Sequence, residues 1–351
     1  MSIDKPTSIR KGEELDSLKL KAYLKARWSN FKGNLSVEQF PSGFSNLTYF
    51  IRADGKEYVL RRPPFGANIK GGHDMEREFN VLSRLQHGYP KAPKPILFCE
   101  DEKVLGAPFY LMEKVTGIIL RNKAPKGFNL NEELMRKISA SSIETLVELH
   151  ALELEKSGLL EMGKPNGYVN RQVEGWVNRY YKAETDKLEA MDEVADWLQK
   201  NIPSQQQTAF IHNDFKYDNL VLCPKDPAKV IAVLDWEMAT IGDPYMDLGT
   251  SLAYWCEAKD DDALKPFNLT WMPGNFTREE VIEYYQQKSA TDVPDLLFYY
   301  VFGAFKIGVI VQQIYARYKK GFTNDPRFAH LIHVVKACGK NGVKALEKGR
   351  I

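Results

Sequence analysis

The chain has 351 residues and a formal net charge of +2, so two domains or one bilobal unit are favoured over a dedicated nucleic-acid binder. Hydrophobic residues make up 44% and charged residues 27%, which are ordinary globular values and exclude disorder as the main state. No two cysteines form a CxxC pair, which excludes a disulfide scaffold and a readable zinc motif and fits a reducing compartment. The cysteines are Cys99, Cys223, Cys256 and Cys338.

The first third of the chain alternates between helical and strand periodicity. Apolar residues at helical spacing predict helices over 15–28 and 74–85. Ser42-Gly43 and Asp54-Gly55 are hairpin signals between strand-like runs. The predicted strands are 35–40, 47–52, 58–62, 96–99 and 108–112.

After Gly117 the pattern becomes mostly helical, with a β-rich interval over 209–234. Helical stretches include 143–150, 176–198 and most of the chain from 247 onward. We therefore expect an α+β, bilobal chain. Its N-lobe, 1–113, combines an N-terminal helix, about five antiparallel strands and one further helix; a hinge, 114–117, leads to a helical C-lobe, 118–351.

The N-terminus is polar and lacks the apolar region of a signal peptide. The most apolar stretch, 296–311, contains Lys306 and is shorter than the roughly 20 residues of a membrane span. We expect a cytoplasmic protein without a membrane partner, in which this stretch is a buried core helix.

Chemistry is concentrated in the segment 209–237. Two apolar runs, Leu220–Leu222 and Val230–Leu234, are separated by the turn-rich CPKDPAK and should pair as a hairpin. That pairing brings Asn219 close to Asp235, with Asp214 on the loop before the hairpin. Hard oxygen ligands of this kind suit Mg²⁺ held together with phosphates, and the remaining aspartate is placed to accept a proton from a hydroxyl.

The spacing His212-x-Asp214-x₄-Asn219 is that of a kinase catalytic loop, with Asp214 as base and Asn219 on the metal. Lys216 is a candidate for neutralising charge on the transferred phosphoryl group. A surface turn rich in Asp and Asn is the competing interpretation, which the downstream Asp235 makes the weaker one.

With these residues in place, the chain from about 36 to 321 resembles the aminoglycoside phosphotransferase and choline kinase-like family, which shares the protein-kinase fold. Within that family it is most similar to kinase-like domains associated with acyl-CoA dehydrogenases. The stretches that carry this similarity are SNLTY (45–49), VLRRPP (59–64), REF (77–79), QIYARY (313–318), DWE (235–237) and GDP with a following Asp (242–247).

The resemblance implies a nucleotide site in the N-lobe. Residues 42–46 correspond to the phosphate-covering turn, with Gly43, Ser45 and Asn46 as contacts. Glu78 would pair with Arg61, which stands where most of the family has Lys. A guanidinium is not interchangeable with an ammonium, so this departure bears on the phosphate geometry. For Arg62 the simpler interpretation is structural: it ends an edge strand.

Glu113 and Val115 lie in the segment that resembles the connector meeting the purine base. Recognition there would use the main chain, so the side chains of this segment do not indicate whether ATP or GTP is preferred. The resemblance makes His212 a structural residue and Asp247 a brace of the catalytic loop. Glu237 is open between a second metal ligand and a supporting role, and the supporting role is favoured.

The acceptor site is expected among the helices of 250–322. This span is rich in aromatic residues and nearly neutral, which favours an apolar or acyl-bearing hydroxyl compound over a polycation. Candidate acceptor residues are Trp255, Tyr315 and Arg317, the last for a carboxylate or phosphate.

These observations predict an ATP- or GTP- and Mg²⁺-dependent small-molecule O-phosphotransferase. Two alternatives stay open: a kinase-like nucleotide-binding module with impaired catalysis, which Arg61 favours, and an aminoglycoside- or choline-type kinase. A protein kinase is disfavoured because Trp-Glu follows Asp235 and no room for an activation segment precedes Asp247.

Overall fold

The computed structural model describes residues 5–41, 46–65, 73–125, 127–204, 207–322 and 325–351. The N-terminal part is built on an antiparallel sheet with strand order β1-β2-β3-β5-β4. Its strands are β1 Leu35–Gln39, β2 Leu47–Ala53, β3 Lys56–Arg62, β4 Pro95–Cys99 and β5 Phe109–Glu113. Its helices are α1 Ser17–Arg27, α2 Met75–Leu85 and a single turn, α3 Glu102–Leu105, which the sequence did not predict.

The two faces of this sheet pack against different helices. Because successive side chains of a strand point to opposite faces, alternate residues enter separate cores. One face joins α1, through Tyr49, Ile51, Leu60, Phe109 and Leu111. The other face joins α2, through Val59, Tyr110 and Met112. It follows that Arg61 and Arg62, adjacent on β3, lie on opposite faces of the sheet.

The hairpin between β2 and β3 turns through two residues, as predicted. Ala53 pairs with Lys56, and both intervening residues have positive φ, +50° at Asp54 and +82° at Gly55. That geometry matches the right-handed twist of the flanking strands, and Asp-Gly favours it. The other predicted hairpin signal, Ser42-Gly43, lies outside the described residues, although β1 and β2 do pair antiparallel.

The C-terminal part is mainly helical. Its helices are α4 Glu132–His150, α5 Tyr168–Ala183, α6 Glu189–Lys200, α7 Pro244–Tyr254, α8 Arg278–Ser289, α9 Leu297–Lys319 and α10 Leu331–Lys348. The prediction of one helical stretch over 176–198 was wrong. The chain leaves helical geometry at Glu184, with φ −58° and ψ 131°, and a new helix begins at Glu189.

The apolar stretch 296–311 forms most of α9, a core helix, as expected. By length and composition α9 passes as a membrane span, yet 78% of its most apolar window is buried inside the protein. Helices α5, α6, α7 and α10 pack around it. Its apolar character is therefore explained by the core of the C-terminal part.

The predicted catalytic hairpin is present, with β7 Leu220–Leu222 antiparallel to β8 Val230–Val233. A second pair, β6 Ala209–Ile211 with β9 Thr240–Gly242, closes the same segment and was not predicted. The connector from the N-terminal part crosses directly over β7, since Ile118 exchanges backbone hydrogen bonds with Leu222. Gly117 permits this approach, because a Cβ there would lie 2.2 Å from Val221 Cγ1.

Candidate active site

Arg61 connects the two parts of the molecule, the N-terminal sheet with α2 and the helical C-terminal part. We call the space between these two parts the cleft. From β3 the Arg61 side chain projects toward α2, where Nη1 donates to Glu78 Oε1 at 2.6 Å. Its other terminal nitrogen, Nη2, donates to Asp235 Oδ1 at 2.9 Å. Burial disfavours the charge, but Glu78 and Asp235 hold the pKa of Arg61 well above its ordinary value. Arg61 thus occupies the place predicted for the phosphate-facing cation.

Arg62 has a different environment, and its interpretation as the end of an edge strand was wrong. The strand that carries it, β3, is the central strand of the sheet. The guanidinium is 1% exposed and donates to the carbonyls of Pro63 and Leu105. It also stacks over the Phe65 ring at 3.7 Å. Arg62 therefore stabilises the far face of the sheet.

Asp235 follows β8 in a left-handed conformation, with φ +68°. This conformation is uncommon for a residue other than Gly and is typical of functional sites. Burial alone would raise its pKa, but the contact with Arg61 lowers the pKa of Asp235 below its usual value. The ion pair with Arg61 thus favours the ionised carboxylate of Asp235.

Glu237, two residues further on, is the less acidic neighbour. Burial, with the charge of Asp235 beside it, raises the pKa of Glu237 to about 8. Its Oε2 accepts from Asn46 Nδ2 at 2.7 Å and lies 3.6 Å from Arg61 Nη2. Glu237 thus links the start of β2 to the ion-pair cluster.

Asn46 lies at the end of the predicted phosphate-covering turn. In addition to its bond with Glu237, its Oδ1 lies 2.8 Å from His73 Nδ1. Burial and the nearby charge of Arg317 lower the pKa of His73, so Arg317 is close to this edge of the cleft. Gly43 and Ser45, also predicted for nucleotide binding, lie outside the described residues.

Helix α2 is fastened to the C-terminal part by Arg77, which neighbours Glu78. Nη2 of Arg77 donates to Met162 O and to Ala239 O, both at 2.9 Å. The bond to Ala239 joins α2 to the segment that follows Asp235. The orientation of Glu78 toward Arg61 is therefore supported from the opposite side of the cleft.

The predicted catalytic loop brings Asp214, Lys216 and Asn219 together. Lys216 Nζ lies 3.1 Å from Asp214 Oδ2. Asn219 Nδ2 donates to Asp214 O at 2.9 Å and to Asp214 Oδ2 at 3.0 Å. The amide nitrogen of Asn219 therefore orients the predicted base, and its carbonyl oxygen is the atom available to a cation.

Asp247 braces this loop from α7, as the sequence indicated. It is fully buried, and its carboxylate accepts the backbone N–H groups of His212 and Asn213, both at 2.7 Å. His150 Nε2 lies 3.2 Å from the same carboxylate. Burial alone would raise its pKa, but these bonds hold the pKa of Asp247 below its ordinary value.

His212 is structural, in agreement with the expectation from sequence. Its Nδ1 accepts the backbone N–H of Asp214 at 3.2 Å, so its Nε2 donates to Leu234 O at 2.9 Å. Burial lowers the pKa of His212, which keeps the ring neutral and preserves both bonds. The ring thus ties the catalytic loop to the end of β8.

Tyr254 is the aromatic residue beside Asp214 and Lys216. Lys216 Nζ lies 4.8 Å from the centre of its ring, and burial together with the charge of Asp214 raises the pKa of Tyr254 well above its usual value. The predicted Trp255 packs edge-on against Tyr217 and donates from Nε1 to Phe276 O at 2.7 Å. Trp255 therefore supports the floor below the loop.

The remaining predicted residues lie on α9 and in the connector between the two parts of the chain. Tyr315 is buried on α9, and Arg317, two residues later on the same helix, is exposed. In the connector, the backbone N–H of Glu113 donates to Lys94 O, and Val115 is half-buried. Asp218, not predicted, faces Lys216 at 3.9 Å, and burial raises the pKa of Asp218 to about 6.

The oxygen ligands fit a cation that is shared with phosphates. Asn219 and Asp235 offer an amide and a carboxylate oxygen at one end of the hairpin, and the backbone N–H of Leu234 bonds Asn219 O at 2.8 Å. Within the described residues, no group of three or more His, Cys, Asp or Glu is placed to hold a metal. A Mg²⁺ ion bound here would need further oxygen ligands, of the kind that phosphates provide.

A model of the phosphotransferase enzyme family matches residues 36–284, more than two thirds of the chain. The chain belongs to this family. Superposition on solved kinase-like structures, with a small antiparallel sheet before a mainly helical remainder, confirms the predicted bilobal kinase-like fold. The match includes the predicted catalytic loop and the hairpin after it, which carry Asp214, Asn219 and Asp235.

Individual relatives agree with this assignment. The chain is 34% identical over 356 residues to acyl-CoA dehydrogenase family member 11 of Gallus gallus, covering 98% of this chain and 45% of that protein. The chain thus spans less than half of that relative's length. The predicted similarity to kinase-like domains associated with acyl-CoA dehydrogenases is confirmed.

Solved structures show the same fold. A protein of Ralstonia eutropha assigned to the aminoglycoside phosphotransferases superposes with a TM-score of 0.80 at 29% identity, covering 95% of this chain and 99% of that one. Choline kinase from Cryptosporidium parvum gives 0.65 at 14% identity, covering 95% and 97%.

Several residues that contact the site were not singled out from the sequence: Asn213, Arg77 and Lys306, together with Asp218 and Tyr254 beside Lys216. Arg77 appeared only within a motif, and Lys306 only as a charge within an apolar run. That charge was the available signal, because a lysine in a core helix is costly unless it has partners.

Proposed function

We propose that this family member transfers the terminal phosphoryl group of ATP or GTP to a hydroxyl group of a small molecule, with Mg²⁺ as cofactor. The acceptor oxygen forms a bond to the terminal phosphorus while the bond to the bridging oxygen of the nucleotide breaks. The acceptor's proton passes to the carboxylate of Asp214, and the nucleoside diphosphate leaves with the bridging oxygen.

The observation that carries this proposal is the division of carboxylates across the hairpin. Asp214 is oriented by Asn219 and faces Lys216, while Asp235 is held ionised by Arg61. One carboxylate is thus available as a base and the other as a ligand, which is the arrangement that phosphoryl transfer to a hydroxyl requires.

Two cationic side chains are placed to offset the negative charge of the phosphates and of the transferred phosphoryl group. Arg61 forks toward Glu78 and Asp235, so it sits where it can also meet phosphate oxygens. Lys216 Nζ, 3.1 Å from Asp214, offsets negative charge that develops between base and phosphoryl group. Bound Mg²⁺ would be held by Asn219 and Asp235 and would neutralise phosphate charge.

For the acceptor we propose an apolar or acyl-bearing hydroxyl compound. Tyr254 lies beside Asp214 and Lys216, and the nearby floor is aromatic, with Tyr217 and Trp255 in contact. Asp218 offers a second acid, but Lys216 faces it, so the net charge that meets the acceptor is small. A strongly cationic acceptor would find little compensation here.

The test is a screen for nucleotide consumption with Mg-ATP and Mg-GTP against hydroxyl compounds, including hydroxyacyl thioesters, choline, sugars and aminoglycosides. We expect acceptor-dependent release of nucleoside diphosphate with an apolar or acyl-bearing hydroxyl compound. Turnover only with aminoglycosides or choline contradicts the proposed acceptor. Nucleotide binding with no transfer to any compound contradicts the proposed reaction and supports the nucleotide-binding module.

A further inference from the structure

Lys306 is a buried cation in the middle of an apolar helix. Its residue is 1% exposed, and its neighbours along α9 are Phe305 and Ile307, both in the core. Removing an ammonium group from water is costly unless its donors are satisfied. The contacts that satisfy it therefore indicate what the lysine does.

The amine of Lys306 donates to the residue that precedes the catalytic base. Nζ lies 2.6 Å from Asn213 O and 3.2 Å from Asn213 Oδ1. The ring of Trp176 lies on another side, 5.8 Å from Nζ. Burial lowers the pKa of Lys306 to about 8, against the favourable charges of Asp247 and Asp214. The lysine is thus directed at the catalytic loop from within the core.

Asn213 itself needs external support, because its φ is +67°. A left-handed residue other than Gly persists only where its surroundings hold it. Its backbone N–H is bound by Asp247, and its side-chain Nδ2 donates to Met238 O at 3.1 Å and to Tyr168 OH at 3.1 Å. Lys306 binds the carbonyl oxygen of Asn213. This carbonyl belongs to the peptide bond that joins Asn213 to Asp214.

Close packing of two helices lets Asp247 and Lys306 reach the same residue. Gly249 on α7 and Gly303 on α9 face each other, and a Cβ on Gly303 would lie 2.5 Å from Gly249 O. Asp247 is two residues before the first glycine and Lys306 three residues after the second. The crossing therefore aims an anion at the N–H of Asn213 and a cation at its carbonyl.

We propose that Lys306 is a positioning residue for phosphoryl transfer: by holding the carbonyl of Asn213, it fixes the direction in which Asp214 presents its carboxylate. The proposal rests on the proposed function for the role of Asp214. It assigns to the core of α9 a part in turnover that is separate from nucleotide binding, since Lys306 contacts neither Arg61 nor Asp235 in the contacts described above.

The test compares K306M with Q312M, a matched change on the same helix. Gln312 is also buried, and its Nε2 donates to a backbone carbonyl, Ala183 O, and to Thr185 Oγ1, away from the catalytic loop. Each variant removes a buried donor from α9 and replaces its side chain with the unbranched, apolar side chain of Met. K306Q, which keeps an N–H donor without the charge, is the conservative variant and is also used if K306M does not fold.

With the acceptor found in the screen, we expect K306M to lower kcat by about tenfold or more and to leave the nucleotide KM within about threefold, because a small misplacement of a base costs turnover. K306Q should lie between K306M and the wild type, and Q312M should keep kcat within about twofold. In a D214N background, K306M should cause little further loss, since both changes act through Asp214. A loss in K306M no larger than in Q312M, or a full loss in the D214N background, overturns the proposal.

Hydrogen exchange keeps this result distinct from a failure of the proposed function. If the wild type transfers phosphate to no acceptor, the proposed function fails, and the amides of 211–216 decide the role of Lys306. Faster exchange there in K306M than in Q312M supports loop positioning. Equal exchange in the two variants overturns it.

Discussion

The two ends of the cleft are held in different ways. At the phosphate end, Arg61, Glu78, Asp235 and Glu237 form an ion-pair cluster whose members come from both parts of the molecule. At the base end, the loop before Asp214 is bound through its backbone, by Asp247 and Lys306 from the helical core. Charged side chains therefore pair across the two parts of the chain at one end, whereas at the other end buried charges bind the backbone of a loop.

This difference indicates a division of labour. The phosphate end joins two parts of the chain through charged side chains, so a bound nucleotide would exchange partners with them. At the base end, the bonds to the loop come from the C-terminal part alone. Substitutions at the phosphate end should therefore act on nucleotide affinity, and those at the base end on turnover.

Replacing Asp214 should give the largest effect. D214N keeps the size of the side chain and removes the base, so kcat should fall by roughly 10²–10⁴-fold with little change in nucleotide affinity. Steady-state kinetics with the identified acceptor measure both. D226N, at an exposed acid on the turn between β7 and β8, is the control and should match the wild type. Near-normal kcat in D214N would remove the distinction between the two ends.

Replacing Arg61 tests the phosphate end. R61A should raise the nucleotide KM and lower kcat, because it removes the buried charge that pairs with Glu78 and Asp235. We expect kcat/KM for the nucleotide to fall by the equivalent of about 2–5 kcal/mol. R61K should rescue only in part, since an ammonium lacks the guanidinium fork. R52A, on an exposed arginine of β2, serves as the control. Binding unaltered in R61A would show that phosphates do not meet this residue.

The neighbouring Arg62 was interpreted only as the end of an edge strand, and its buried contacts now predict a role in stability. R62A should lower the melting temperature through loss of its bonds to Pro63 and Leu105, with nucleotide KM nearly unchanged. Thermal unfolding and kinetics on the same preparation separate the two effects. A raised KM in a fully folded R62A would mean that both arginines reach the cleft.

Arg77 tests whether the phosphate end depends on the attachment of α2. R77M removes two bonds to backbone carbonyls, each worth about 1.5–3 kcal/mol for a charged donor, and should raise the nucleotide KM severalfold. R84M is the comparison on the same helix, because Arg84 also reaches the C-terminal part, through Glu161 and Met162 Sδ. Arg77, by contrast, bonds Ala239 in the segment that follows Asp235. Equal behaviour of the two variants, measured by KM and by hydrogen exchange in α2, would contradict the assigned role of Arg77.

The smallest effect concerns pH. The pKa of Lys306 is about 8 in the folded protein and 10.5 when exposed, so between these values the unfolded chain binds more protons. The free energy of unfolding contributed by this group should therefore rise as pH increases from about 8 to 10.5. The charges that face it are Asp247, Asp214, Lys216 and Arg179. Chemical unfolding should show this rise in the wild type and a smaller one in K306M; identical slopes would contradict it.

How far the sequence predicts this site depends on distance along the chain. Asp214, Asn219 and Asp235 were recognisable because a loop and a hairpin bring them together within a short segment. Period-two alternation on β3 explains why Arg61, and not Arg62, faces Glu78. Lys306 binds a residue 93 positions earlier and Arg77 one 162 positions later. Those contacts come from helix packing, which local patterns do not encode.

Secondary structure was likewise predicted where the local pattern is strong and missed where it is not. Strongly alternating strands and the Asp-Gly turn between β2 and β3 were predicted close to their observed bounds. The break between α5 and α6 was missed because the apolar spacing continues across it, although the backbone does not. The strand pair β6–β9 was missed because its three-residue strands are too short to show a period.

The most direct test is a calorimetric titration of ATP into wild type, D235A and D214N, with and without Mg²⁺. If a Mg-nucleotide binds between Asp235 and the N-terminal sheet, wild type and D214N should bind equally and with the same Mg²⁺ dependence. D235A should bind at least about tenfold more weakly and lose that dependence, since it removes a carboxylate ligand of the cation. Unchanged Mg²⁺-dependent affinity in D235A would contradict the metal and nucleotide assignment.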